Sequence, residues 1–126
     1  MTETAQKSSY KNLIVYQKAK QLTLDIIRYF SKYRLPKTKE FLIGQLFRSV
    51  NSIGANLAEG YGRHYQGSFR QFIGIARGSA FETDYWLETI LDLGNFDRKI
   101  LSNFIEKNIE ICKMLTGLMA KTNKKS

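Results

Sequence analysis

At 126 residues, 43% hydrophobic and 25% charged, the chain has the length of one domain and the composition of an ordinary globular protein. Its single cysteine, Cys112, excludes an internal disulfide and a thiolate zinc cage, and its single histidine, His64, leaves little room for base catalysis. A net charge of +9 fits either a surface for polyanions or a solvated face that keeps the protein soluble.

Only one proline, Pro36, interrupts the chain, which favours long helices. The first helix is expected from about Tyr10 to Tyr33, with Val15, Ala19, Leu22, Ile26, Tyr29 and Tyr33 spaced by fours and threes. "RLPKTK" ends it, and Thr38 is the expected cap of a second helix reaching about Gly62. Ser68 and Gln71 form a capping-box pattern for a third helix, which ends at Leu93 before Gly94. Asp97 is the expected cap of a fourth, with Leu101, Phe104, Ile105, Cys112, Leu115 and Met119 as its apolar stripe.

Short turns between four such helices predict an all-α, antiparallel, up-down-up-down four-helix bundle over residues 10–121. Residues 1–9 are expected as a flexible N-terminus and 122–126 as a basic tail. No apolar run approaches a membrane span and "MTETAQKSSY" has no apolar signal core, so the expected location is cytoplasmic, away from membranes.

The charge is segregated. Between Lys7 and Lys39, nine basic residues face the single acid Asp25, whereas Glu82 to Asp97 holds five acids and no base. Candidate phosphate contacts are therefore Lys11, Lys18, Arg28, Lys32, Arg34, Lys37 and Lys39, supported by Arg63, Lys121, Lys124 and Lys125.

A second pattern lies in "RSVNSIGANLAEGYGR". Gln45, Arg48, Ser49, Ser52, Asn56, Glu59 and Arg63 fall within about 120° of one helical face, beside an arc of Leu46, Val50, Ile53 and Leu57. A solvated face would carry Lys, Glu and Gln; serines and an asparagine form helices less readily. Their placement predicts a packed polar seam that sets bundle register or joins subunits, with Arg77, Ser79 and Glu82 of the third helix as partners. Direct contact of Arg48, Asn56 and Arg63 with phosphate or base is the competing reading.

"QLFRSVNSIGANLAEGYGR" resembles the signature of the bacterial four-helix-bundle family associated with intervening sequences of large-subunit ribosomal RNA genes. "YKNLIVYQKA" is similar to its opening helix, with Tyr16 at a position usually aromatic, and "FIGIARGSAFET" to its third-helix motif, with Ala76, Gly78, Ser79 and Glu82 matching. The resemblance implies a homopentamer, and relatives among accessory subunits of reverse transcriptases in diversity-generating retroelements.

Enzyme chemistry finds no support. His64 has no Glu three residues earlier for a di-iron motif, no Arg four to six residues earlier for a helical ribonuclease, and no partnered nucleophile. "GYGRHYQGS" follows a helix, not a strand, and lacks the Gly-Lys-Ser/Thr of a phosphate loop. Cys112 reads as a core residue, Phe81 and Trp86 as core or interface, and His64 with Tyr65 as exposed turn residues. No catalytic, cofactor or metal site is expected. The expected function is a non-enzymatic, homo-oligomeric bundle binding RNA or DNA through its basic surface. The alternative is an adaptor, such as a reverse transcriptase subunit, that docks a basic partner on Asp84, Glu88 and Asp92.

Overall fold

The computed structural model describes residues 9–63 and 66–123. His64, Tyr65, Lys124, Lys125 and residues 1–8 lie outside the described residues.

Four helices follow a single 3-10 turn: α1 (Ile14–Phe30), α2 (Lys37–Tyr61), α3 (Gln66–Leu93) and α4 (Arg98–Asn123). The expected first helix is thus split and shortened. Tyr10–Asn12 forms the 3-10 turn, with Ser9 Oγ accepting from the Lys11 N–H at 3.1 Å, and Leu13 is extended. At the other end, the Ser31 hydroxyl donates to the Ile27 carbonyl at 2.6 Å and the Tyr33 N–H turns back to Phe30. A hydroxyl that shares a carbonyl of the last turn with the backbone N–H offers the chain an alternative to continuing the helix.

Two expected caps differ in position. Pro36, at φ −58 and ψ 155, occupies the N-cap of α2 in place of Thr38. Proline suits a helix start because its missing N–H would have had no partner there. α3 begins at Gln66, so Ser68 lies within its first turn rather than at a cap. The α3–α4 turn follows the sequence signals: Gly94 has φ +85, Asn95 follows at +76, and Asp97 Oδ1 accepts from the N–H groups of Lys99 and Ile100 at 2.9 and 3.1 Å.

Partner numbers fall along one helix as they rise along its neighbour. On α2 and α3, Arg48, Ser52 and Gly60 meet Glu82, Ser79 and Phe72. On α1 and α2, Tyr16 meets Gly54, Thr23 meets Val50, and Phe30 meets Phe47. On α1 and α4, Lys18 meets Glu110, Asp25 meets Lys107, and Tyr29 meets Phe104. In these three pairs the helices run antiparallel, and the packing of α4 on α3 closes the bundle.

Its axis is filled by Leu22, Ile26, Leu46, Val50, Ile53, Leu57, Ile73, Leu87, Leu101, Ile111 and Leu115, each at most 1% exposed. Burying one such side chain stabilises by roughly 1.5–3 kcal/mol, so this column dominates the energetics. Asn108 interrupts it: its Nδ2 donates to the Ala80 carbonyl at 2.8 Å, tying α4 to α3. Cys112 departs from its expected place in the core. It stands half-buried at the rim of a cleft of about 480 Å³ with Phe81, Asp84, Glu88, Ile109, Lys113 and Thr116. Spacing along a helix locates the apolar stripe but does not separate its edge from its centre.

Candidate nucleic-acid interface and polar seam

The small polar residues of α2 meet α3 across a hydrogen-bonded seam. Ser49 is 2% exposed and donates to the Leu46 carbonyl at 3.1 Å. The Thr83 hydroxyl, fully buried, stands 3.0 Å from Ser49 Oγ and 2.8 Å from the Ser79 carbonyl, sharing one proton between them. One layer outward, the Ser52 oxygen accepts from Ser79 at 3.0 Å and from Asn56 Nδ2 at 2.8 Å. At the surface, Arg48 donates to Gln45 at 2.7 Å and pairs with Glu82 at 3.3 Å, and Glu82 also accepts from the Trp86 indole at 3.1 Å.

The structure thus brings together Gln45, Arg48, Ser49, Ser52, Asn56, Ser79 and Glu82. Glu59 pairs at 2.8 Å with Arg63, two residues past the end of α2, in an exposed i,i+4 pair. Arg77 stands apart from the seam. Its guanidinium lies 5.1 Å from the Phe81 ring, on the α4 side of α3. Thr83 and Trp86 complete the seam without having been singled out as its members. The signal for Thr83 was present, since it lies one turn beyond Ser79 on the same face. At the foot of the seam Gly60 is buried directly against Phe72, which leaves no space for a Cβ.

The basic candidates divide by position and by pairing. Arg28, Lys32, Arg34 and Lys37 are exposed and Lys39 is half-buried, all around the α1–α2 connection. The α3–α4 turn lies beside it, because the Tyr29 hydroxyl accepts from the Asp97 N–H at 3.1 Å and Phe96 packs on Phe30 and Tyr33. That turn brings Arg98 and Lys99 to the same end, two cations the sequence reading did not include. Among the described residues none of these seven makes an ion pair. The local acids are Glu40, Asp92 and the capping Asp97. Lys18, by contrast, pairs with Glu110 at 3.3 Å. Lys11 and Lys121 are exposed toward the other end, where Lys121 lines a cleft with Leu13 and Ile14.

Two groups have shifted acidities. The Tyr33 phenol is raised above its ordinary value, first by its hydrogen bond to Tyr29 at 3.1 Å. Burial pushes the Cys112 thiol up; the Asp84 charge adds to this and Arg77 opposes it. Neither is an activated nucleophile, since reactive thiols are depressed. Among the described residues no three His, Cys, Asp or Glu side chains gather to hold a metal, and no helix is long and apolar enough to cross a membrane.

With this geometry in place, the comparison with known families is decisive. The model of the 23S rRNA-intervening sequence protein family matches residues 11–117. The chain belongs to that family. The intervening-sequence bundle also resembles a crystal structure of a Bacteroides thetaiotaomicron protein with unknown function from the S23 ribosomal protein family. The two share 25% identity and a TM-score of 0.71, over 84% of this chain and 98% of the other. No curated protein matches the chain. The function of the Bacteroides protein is itself given as unknown.

Proposed function

We propose that this intervening-sequence bundle is a non-enzymatic, homo-oligomeric, cytoplasmic protein that binds RNA through the basic end formed by the α1–α2 connection. The observation that carries this reading is the gathering of cations at one end. Arg28, Lys32, Arg34, Lys37 and Lys39 surround the α1–α2 connection, Arg98 and Lys99 join them from the adjoining turn, and among the described residues none of the seven has a carboxylate within 4 Å. Unpaired cations on one surface attract phosphate oxygens and release condensed counterions, which yields affinity with little sequence preference. Lys11, Lys18, Arg63 and Lys121 are further candidates on the bundle, Lys18 and Arg63 by exchanging their carboxylate partners for phosphate, and Lys124 and Lys125, beyond the described residues, are candidates from the sequence. The family's association with ribosomal RNA supports RNA over DNA as the ligand.

The test is titration of a structured RNA at rising salt. Five phosphate contacts predict a log–log slope of about −3 to −5. A flat response overturns the reading.

Self-association, with the pentamer implied by the family resemblance, is part of the proposal. The outer edge of the α2–α3 seam supports it, since Phe41 and Tyr85 are 62% and 60% exposed there and Phe41 shares the helical face of Arg48. Light scattering on Phe41→Ser with Tyr85→Ser tests it: the double variant is expected to run as a smaller species with unchanged helicity.

One observation favours the adaptor reading. The cleft between α3 and α4 is walled by Phe81 and Ile109 and rimmed by Asp84 and Glu88, which suits a basic amphipathic partner such as a polymerase segment. A reverse transcriptase that co-purifies with the wild type and is lost from Asp84→Lys with Glu88→Lys would favour it.

A further inference from the structure

The basic end holds more than charge. Between the end of α1 and the start of α2 lies a cleft of about 430 Å³ lined by Phe30, Tyr33, Arg34, Leu35, Glu40 and Ile43, with Phe47 behind. Its volume is that of a small-ligand site. Tyr33 is 41% exposed, and its ring is braced edge-on by Phe96 at 5.1 Å and Tyr29 at 5.4 Å. The hydroxyl donates to Tyr29, which fixes the ring plane. An exposed aromatic held in place by two others loses little side-chain entropy when something stacks on it. Arg34 lines the same cleft, while Lys32 and Lys37 adjoin it in the chain.

Resting on the nucleic-acid reading above, we propose that this cleft takes one unpaired base of a single-stranded RNA, and that Glu40 favours guanine. The base stacks on Tyr33 while Arg34 and its neighbouring lysines hold the flanking phosphates. A carboxylate accepts hydrogen bonds and donates none. Guanine presents N1–H and the N2 amino group side by side, matching both carboxylate oxygens. Uracil offers one N–H flanked by carbonyl oxygens, which the carboxylate repels. Single-stranded RNA is commonly read in this way, by stacking on aromatic rings and by hydrogen bonds to the Watson–Crick edge. The repulsion of phosphate by Glu40 is offset by Arg34 in the same cleft and by the other cations of this end, Arg28, Lys32, Lys37 and Lys39.

The experiment is fluorescence anisotropy on full-length protein with three labelled RNAs: U9, U4GU4 and a nine-base-pair blunt duplex. The wild type is expected to bind U4GU4 about tenfold tighter than U9, and Glu40→Gln to bind the two alike. Tyr33→Leu is expected to lower U4GU4 affinity about fivefold to a hundredfold, the range for removing a stacking ring. Tyr33→Phe keeps the ring and is expected to stay within about twofold of wild type. Circular dichroism checks that each variant remains folded.

Equal binding of U9 and U4GU4 by the wild type, with a steep salt response, overturns the base cleft and leaves phosphate binding standing. Tight binding of the duplex with no effect of Tyr33→Leu does the same. Free GMP binding as tightly as U4GU4 also overturns it, in favour of a nucleotide pocket. Failure of all three RNAs to bind at any salt overturns both this inference and the nucleic-acid reading beneath it.

Discussion

The α2–α3 seam and the α1–α2 end of the bundle both concentrate hydrogen-bonding side chains, with opposite outcomes. In the seam, every group has a protein partner: Ser49 has Leu46, Ser52 has Ser79 and Asn56, and Arg48 has Glu82. At the end, Arg28, Lys32, Arg34, Lys37 and Lys39 reach no carboxylate among the described residues. The energetic logic differs accordingly. A buried hydroxyl without a partner costs about 1–3 kcal/mol, so the seam is held to its register by the penalty for losing it. An exposed ammonium without a partner costs almost nothing, because water solvates it. It stays available to a ligand. The fold is thus expected to tolerate change at the α1–α2 end, the proposed binding surface, and to resist change in the seam.

The sharpest way to break that contrast is to reverse charge at the end. Arg34→Glu with Lys37→Glu is expected to weaken RNA binding at least tenfold and to reduce the salt slope by about two. The thermal midpoint is expected to hold within about 2 °C, because no ion pair is lost. A large fall in midpoint would mean the end is structural after all, and the distinction between the two regions would disappear.

The seam should respond the other way. Thr83→Val keeps the shape of a fully buried side chain and removes its hydroxyl, leaving Ser49 with one contact fewer. The expected loss is about 1–3 kcal/mol in denaturant titration, with RNA affinity per folded molecule unchanged. Adding Ser49→Ala should cost less than the sum of the two single changes, because removing both partners leaves fewer orphan groups. Strict additivity would show that the two hydroxyls do not act as a unit.

Arg48→Ala tests the outer rim of the same seam and should do little. Its side chain is 67% exposed, so the pair with Glu82 is screened and worth about 0–1 kcal/mol to the folded chain. A larger effect on oligomer dissociation than on unfolding would place this rim in a subunit contact.

How much of this was legible in the sequence depended on whether the signal was local. Gly94 and Asp97 announce a helix end and a helix start through their own backbone preferences, and both hold those positions. Ser49 and Ser52 were conspicuous because a solvated helix face rarely uses them. Thr83 shares the face of Ser79 one turn on, but a single threonine in a helix is a weaker mark than paired serines, and its hydrogen bond is to Ser49, 34 residues away. Arg77 shares a helix with Ser79 and Glu82, yet two residues along a helix is about 200°, which turns it toward α4 and Phe81. The joining of Lys32 and Arg34 with Arg98 and Lys99 is a product of the fold, since more than sixty residues separate them. The edge-on packing of Phe96 against Tyr33 and Phe30, with the hydrogen bond from the Asp97 N–H to the Tyr29 hydroxyl, brings the two turns together.

Cys112 gives the smallest expected effect and tests a third environment, the α3–α4 cleft. Alkylation requires the thiolate. Burial disfavours that form, the Asp84 charge disfavours it further, and Arg77 partly offsets both. Iodoacetamide should therefore react more slowly with the folded protein than with the unfolded chain, with a rate midpoint above the ordinary thiol value of about 8.5. Asp84→Asn should move that midpoint down and Arg77→Ala should move it up. The same shift links to stability. A raised folded value means the native state keeps its proton longer, so the contribution is whole below pH of about 8.5 and is lost as pH rises through the folded value. Cys112→Ser should remove that alkaline decline. The thiol is only half-buried, so the change in stability should be slight while the change in reactivity remains easy to measure. If Asp84→Asn left the midpoint unmoved, burial alone would account for the shift. The acidic rim of the cleft would then exert no field at the sulfur, and its fit to a basic partner would lose its electrostatic support.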